Sequence, residues 1–233
     1  MMYKIVQDLT NLNRVFCSTD YDKSIKLLSK ILNFKIYKFS NKKSFNGWVI
    51  PPKWDLIDAK IYKNKKIIYD GMKNPLSVIA LSKPVNKYLN LKNLKKHLHF
   101  DSRSSTATPY HFRQMYQSWN REWGFCVPKK FYDSLTEGNF RAIIKTKESK
   151  GYLKVLEYNL KGKSKKTIVF VAHLDHPGMS NDNLSGCAVG IQLFKYLSKK
   201  KLKFSYSLLL TQEIIGSEYY LNTLSKKNKS NIL

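Results

Sequence analysis

Two histidines, two aspartates and two asparagines fall within the sixteen residues VAHLDHPGMSNDNLSG (171–186), directly after an apolar run. The whole chain has five histidines, so His173 and His176 concentrate ligand-type side chains just ahead of Asp182. Imidazole nitrogen and carboxylate oxygen are donors that hold zinc at about 2.0–2.2 Å, and a catalytic zinc keeps a position open for water. One carboxylate can also bridge two cations a few Å apart, a role that suits Asp182. Asp175, two residues after His173, is spaced to accept the imidazole's other N–H, which would fix its tautomer and raise its basicity. His176, ahead of Pro177, is expected to shape the pocket or touch substrate.

The elements around these residues give them a common location. KTIVFVAH (166–173) reads as a strand buried on both faces, LSGCAVGIQLFKYLSKK (184–200) as a helix, and FSYSLLL (204–210) as the next buried strand. GSEYYLNTLSKK (216–227) starts another helix. Strand–helix–strand with apolar strands implies a parallel pair with a right-handed crossover. Ligands of such sheets gather at the carboxyl ends of the strands. His173 ends the first strand, Asp182 lies in the loop after it and Glu213 follows the second, so all three are expected on one rim. Gly186 permits close approach of the backbone where the helix opens, and Cys187 reads as a small core residue on its inner side.

Upstream, YDKSIKLLSKILN (21–33) has helical apolar spacing, with N-cap oxygens on Ser18, Thr19 and Asp20. FKIYKF (34–39) alternates like a strand. From residue 44 to 134 the texture is β-rich: GWVI, AKIYKN, KKIIYD and SVIALS are punctuated by prolines, and KNKK (63–66) reads as a hairpin turn. Trp48, Trp54, Ile57, Ile61 and Ile68 are its expected core. NFRAIIKT and GYLKVLEYNL read as two strands joined by the turn KESKG. The expected organisation is an N-terminal part of an α/β domain (1–43), an inserted small β-rich domain (44–134) and the rest of the α/β domain (135–233). The fold class is α/β: a mixed, partly parallel sheet flanked by helices.

Composition excludes several classes. No run approaches the roughly 18 apolar residues that a membrane span needs, and the N-terminus lacks a secretory apolar region. Cys17, Cys126 and Cys187 are few, odd in number and far apart, which points to reduced thiols in a cytoplasmic protein. The net charge of +26 comes from 37 lysines and only five arginines. The lysines are spread along the chain, whereas readers of nucleic acid concentrate arginine and aromatics. No specific nucleic-acid partner and no membrane are therefore expected. His97, His99 and His111 are given no role.

AHLDHPGMSNDNLSGCAVGI resembles the H-x-D … D-N-x-S-G signature of the co-catalytic di-zinc aminopeptidases. It is most similar to an aminopeptidase-like branch, found among bacterial polysaccharide-biosynthesis proteins, that writes H-x-x-H-P, then N-D-N-L-S-G, then E-T-I-G-S, here EIIGS (213–217). GWVIPPKWDLIDAKI (47–61), ALSKPVNKYL (80–89) and REWGFCVPKKFYDSL (121–135) resemble the inserted domain of that branch. The resemblance implies one or two zinc ions, with His173 and Asp182 as ligands, Asp182 bridging, and Asp175 as the partner of His173. Di-zinc peptidases carry two adjacent glutamates, the first a general base and the second a ligand; this chain has Gln212–Glu213. Glu213 as ligand leaves a glutamine where the base should be, and Glu213 as base leaves a ligand missing. The family also draws an acidic ligand and a late histidine from beyond this motif. With Leu233 last and no histidine after His176, the resemblance implies a chain truncated at its C-terminus, with an incomplete site and an uncovered apolar strand edge that favours homo-oligomers.

Two functions are thus expected. The first is a metal-dependent aminopeptidase-like hydrolase acting on peptide or aminoacyl-type small substrates, linked to surface polysaccharide biosynthesis, with Glu213 and Asp175 in catalysis. The alternative is an inactive binding or assembly module that keeps the fold.

Overall fold

The computed structural model describes residues 1–40 and 44–233; the expected boundary after residue 43 falls on residues outside that set. The chain divides into two compact units, Met1–Lys53 with Lys150–Leu233, and Trp54–Ser149.

The first unit begins with helix α1 (Met2–Thr10), followed by α2 (Thr19–Ser29). Ser18 caps α2, its hydroxyl accepting the Tyr21 N–H at 3.0 Å, which satisfies one of the orphan donors of the first turn. Strand β1 (Lys35–Ser40) comes next.

The chain then enters the second unit with β2 (Lys53–Lys63) and β3 (Lys66–Asp70). The turn between them puts Asn64 and Lys65 at φ of 49° and 69°, the left-handed pair that a tight hairpin requires. Next come β4 (Val85–Leu89), α3 (Leu91–Lys95), β5 (Leu98–His99), α4 (Arg113–Tyr116), β6 (Phe125–Cys126), α5 (Lys129–Asp133) and β7 (Phe140–Ser149). The sheet order is β3-β2-β7-β4, with β5 and β6 as a separate pair. Ala59, Ile61, Val85, Phe125, Phe140 and Ile144 contribute to its core. Trp54 is also buried, its indole N–H donating to the Ser82 carbonyl at 3.0 Å. Ile57, expected inside, is 55% exposed, and Trp48 belongs to the first unit. SVIALS forms only a single bridge, Val78 to Phe125.

The first unit resumes with β8 (Tyr152–Leu160), β9 (Thr167–His173), α6 (Ser185–Leu197), β10 (Ser205–Thr211), α7 (Ile215–Thr223) and α8 (Lys226–Ser230). Its sheet runs β1-β8-β10-β9. β10 pairs antiparallel with β8 and parallel with β9. The result is a mixed, partly parallel sheet flanked by helices. β7 and β8 are adjacent in sequence yet pair in different sheets, because the apolar positions of β7 feed one core and those of β8 the other.

Side chains alternate across the sheet as the strand period requires. Leu208 and Leu210 belong to the core layer built with α1, α2 and α6, together with Ile5, Leu9, Ile25, Leu28, Ile191 and Phe194. Leu209 and Val155 face the other way, against Tyr220 of α7. β9 differs from its expected burial: most of its residues are half-exposed and Val171 is 55% exposed, because β9 lies at the edge of the sheet order. Its N-terminal end carries a bridge from Thr167 to Ile232. No helix among the described residues is long and apolar enough to cross a membrane.

Phe194 joins these layers, meeting the rings of Tyr158 and Phe170 edge-on at 6.2 and 5.7 Å. Truncating a fully buried phenylalanine removes its transfer energy and leaves a cavity. Phe194→Ala is therefore expected to cost about 3–5 kcal/mol, read as a lower midpoint in urea unfolding.

Candidate metal centre

The parallel register sets the site. His173 stands opposite Thr211, and the next bond of the ladder, Leu174 N–H to Thr211 O, is 2.8 Å. Both strands therefore end at one level, and the two residues after Thr211 are Gln212 and Glu213.

The turn Ser180–Leu184 returns Asp182 to that rim. His173 Nε2 lies 2.7 Å from Asp182 Oδ1. His176 Nδ1 is 3.5 Å from Asp182 Oδ2 and 3.2 Å from the Asp182 carbonyl. One donor atom from each of His173, His176 and Asp182 falls within a mutual 4.8 Å. Glu213 stands beside this triple, its Oε2 3.1 Å from His176 Nε2. The sequence-derived trio of His173, Asp182 and Glu213 thus shares one rim, and His176 stands among them rather than merely lining the loop.

Asp175 is fully buried. Its Oδ1 accepts the Glu213 N–H at 3.1 Å. Its Oδ2 has no hydrogen-bond partner and lies 3.4 Å from His176 Nε2. Asp175 thus lies against Glu213 and His176, where expectation had placed it against His173. Burial pushes the Asp175 carboxyl up to about 8, against the Glu213 amide that favours the charged form. Burial also lowers His176, and His173 nearby lowers it further.

Gln212 is buried as well, with its amide donating to the Phe16 carbonyl at 3.1 Å. It is turned into the core, and Glu213 is the member of the pair beside the imidazoles. His176 and Ile214 adopt φ of 70° and 59°, a left-handed backbone that is uncommon for side chains of this size and clusters at working sites.

The loop is fastened from behind by Arg14, a residue given no role from sequence. Its side chain is fully buried, with Nε donating to the Leu174 carbonyl at 2.9 Å and Nη2 to the His176 carbonyl at 2.6 Å. Nη1 donates to the Leu9 carbonyl at the end of α1. Two further ties join α1 to the loop: Gly178 N–H to Thr10 O at 3.2 Å and the Thr10 and Ser180 hydroxyls at 2.8 Å. A Cβ at Gly186 would meet Asn183 Oδ1 at 2.1 Å, so a larger residue would displace the side chain that accepts the Gly186 N–H at 3.0 Å. Cys187 is buried and its thiol is pushed up to about 12 by desolvation, which makes it an unreactive core residue. His97, His99 and His111 belong to the unit Trp54–Ser149.

The donor chemistry fits a zinc-type cation. Two ligands at about 2.1 Å on a tetrahedral centre stand about 3.4 Å apart; here His173 and His176 each have a ring nitrogen 2.7 and 3.5 Å, respectively, from an Asp182 oxygen, and one donor atom from each of the three residues falls within a mutual 4.8 Å.

A family model described as "Domain of unknown function (DUF4910)" matches residues 3–232. A Clostridium acetobutylicum protein described as a polysaccharide biosynthesis protein with aminopeptidase-like domain is 28% identical over 230 residues, covering 98% of this chain and 52% of its own. The crystal structure of a protein from Clostridium acetobutylicum, described as a peptidase, superposes with a TM-score of 0.91 at 28% identity, over 99% of this chain and 54% of that one. A zinc aminopeptidase from Bacillus subtilis superposes with a TM-score of 0.63 at 13% identity, over 99% of this chain and 67% of that one. The fold is thus shared with zinc aminopeptidases, and the chain spans about half the length of the curated relative it matches.

Two outcomes are expected in the metal-free protein. Arg14→Met bares buried carbonyls at about 1–3 kcal/mol for each acceptor left unsatisfied, so its urea midpoint should fall well below the parent's. For Asp175, an unfolded carboxyl titrates near 4 and the folded one near 8. Between those values the folded chain holds a proton that the unfolded chain has released, so stability falls as pH rises from about 4 to about 8. Asp175→Asn should flatten that slope; a stability–pH curve parallel to the parent's would show that the carboxyl is not held neutral.

Proposed function

The chain belongs to the DUF4910 family, and on that premise we propose that it is a peptidase-like hydrolase whose candidate centre, built on His173, His176 and Asp182, holds a zinc-type cation. The observation that carries this reading is the convergence of two imidazoles and a carboxylate within 4.8 Å at the carboxyl ends of parallel strands. The fold shared with zinc aminopeptidases and the aminopeptidase-like domain in the name of the 28% identical relative support it. The substrate proposed is a peptide or aminoacyl compound; a connection to surface polysaccharide synthesis rests on that relative's name.

This reading gives each residue a task. His173, His176 and Asp182 would supply the donors, from the strand end and the loop after it. A bound zinc would polarise the scissile carbonyl and lower the pKa of water. Glu213, partly exposed at the rim, would take a proton from water or complete the ligand set. Asp175 holds the Glu213 backbone by its amide and lies against His176, so it orients two members of the site from beneath.

The second reading, a binding module without hydrolysis, is favoured by one observation. Gln212 is bonded into the core at Phe16, so this strand end offers one carboxylate, where two act in the di-zinc peptidases.

Metal content and hydrolysis separate these possibilities. The purified chain should retain zinc after dialysis, and His173→Ala should weaken zinc affinity by about 100-fold or more. Zinc unchanged in that variant removes His173 from the site. Zinc-loaded protein should hydrolyse an aminoacyl p-nitroanilide, and Glu213→Gln should abolish this while the fold persists. Zinc held with no hydrolysis of any aminoacyl anilide supports the binding module.

A further inference from the structure

The unit Trp54–Ser149 carries a cleft of its own, of about 860 Å3, within the roughly 300–1,000 Å3 usual for small-molecule sites. The β2–β3 turn forms one side, fastened where the Asn64 N–H donates to the Asn139 carbonyl at 3.0 Å. The end of β4 and the start of α3 form the other, set by the Asn90 side chain capping the Asn93 N–H at 2.9 Å. Phe140 and Leu89 supply apolar lining.

The lining chemistry is selective. Asn64, Asn93 and Asn139 bring side-chain amides, and each amide presents a donor and an acceptor. Such pairs match the vicinal hydroxyls of a sugar, which also donate and accept. Tyr62 and Tyr88 add aromatic rings. Tyr88 is 76% exposed and the Arg141 guanidinium lies over its ring at 5.3 Å. Arg141 Nε donates to Asn86 Oδ1 at 2.9 Å, so the guanidinium is oriented before any ligand arrives. Among the described lining residues the charged groups are Lys65 and Arg141, and there is no carboxylate, histidine, cysteine or serine. The cleft therefore has the groups to bind a polar ligand and lacks the histidine and carboxylates that most often serve as general bases. An arginine held over an aromatic ring by a side-chain hydrogen bond suits a planar carboxylate, which it can meet with two parallel N–H donors.

From this combination we propose that the cleft binds a short acidic glycan, with tyrosine packing on the sugar's C–H face, asparagine amides on its hydroxyls and Arg141 on its carboxylate. This does not depend on the metal-centre reading, since every residue involved belongs to the other unit.

The test is calorimetric titration of the full chain with trigalacturonic acid, at about 0.15 M salt to screen the general basic charge. Maltotriose serves as the neutral counterpart and short polyglutamate as the charge control. Trigalacturonic acid should bind more tightly than maltotriose. Tyr88→Ala and Arg141→Gln should each weaken it at least tenfold. Asn93→Ala, at an exposed position, should weaken both sugars severalfold. Unchanged melting temperatures in Tyr88→Ala and Asn93→Ala keep a loss of binding from being a loss of fold. Three results overturn the proposal: no binding of trigalacturonic acid, binding indifferent to these substitutions, or polyglutamate binding as tightly as the sugar acid and displacing it.

Discussion

Everything at the candidate centre depends on the register between β9 and β10. His173 opposes Thr211 in a parallel ladder, and the Leu174 amide closes it. A slip of one residue would turn each side chain to the other face of the sheet, moving His173 away from the loop. The register is fixed by apolar alternation: Leu208 and Leu210 point into one layer and Leu209 into the other. The same burial that stabilises the sheet therefore aims the imidazole.

The loop has no comparable ladder, and its order comes from buried polar groups. Arg14 spends its donors on main-chain carbonyls on either side of Asp175, while Asp175 accepts the amide of Glu213. Buried polar groups are tolerated when they are hydrogen-bonded and are costly when they are not. Asp175 Oδ2 is left without a bond, and three carboxylates share a small volume with two imidazoles. Such a group is stable when it shares protons or when it shares a cation. In the metal-free chain burial pushes the Asp175 carboxyl up to about 8, which favours its neutral form.

Much of this was legible along the chain. The strand ending at His173, the helix expected over 184–200 and found as Ser185–Leu197, and the strand expected over 204–210 and found as Ser205–Thr211 all follow from period, and of the three cap oxygens offered at 18–20 the structure uses Ser18. So did the convergence of His173, Asp182 and Glu213, because parallel strands joined by a helix must end together. Other features were not legible. α1 was not expected from the opening residues. Arg14 gave only the weak signal of an arginine in a lysine-dominated chain, since its partners are carbonyls about 160 positions away. His176 before Pro177 read as a loop residue because nothing local tells which way a loop imidazole turns. β7 and β8 looked like neighbours because sequence separation is a poor guide where a chain crosses between two cores.

The sequence by itself marked His173, Asp182 and Glu213 as donor-type side chains and indicated that two parallel strands would bring them to one rim. Those are consequences of residue chemistry and of the two- and 3.6-residue periods. Only the tertiary structure decided that Glu213 faces the imidazoles while Gln212 faces the core, that β9 lies at the edge of its sheet, and that an arginine near the N-terminus holds the loop. These depend on which distant groups remain to satisfy a buried donor or carbonyl, and no local pattern records that.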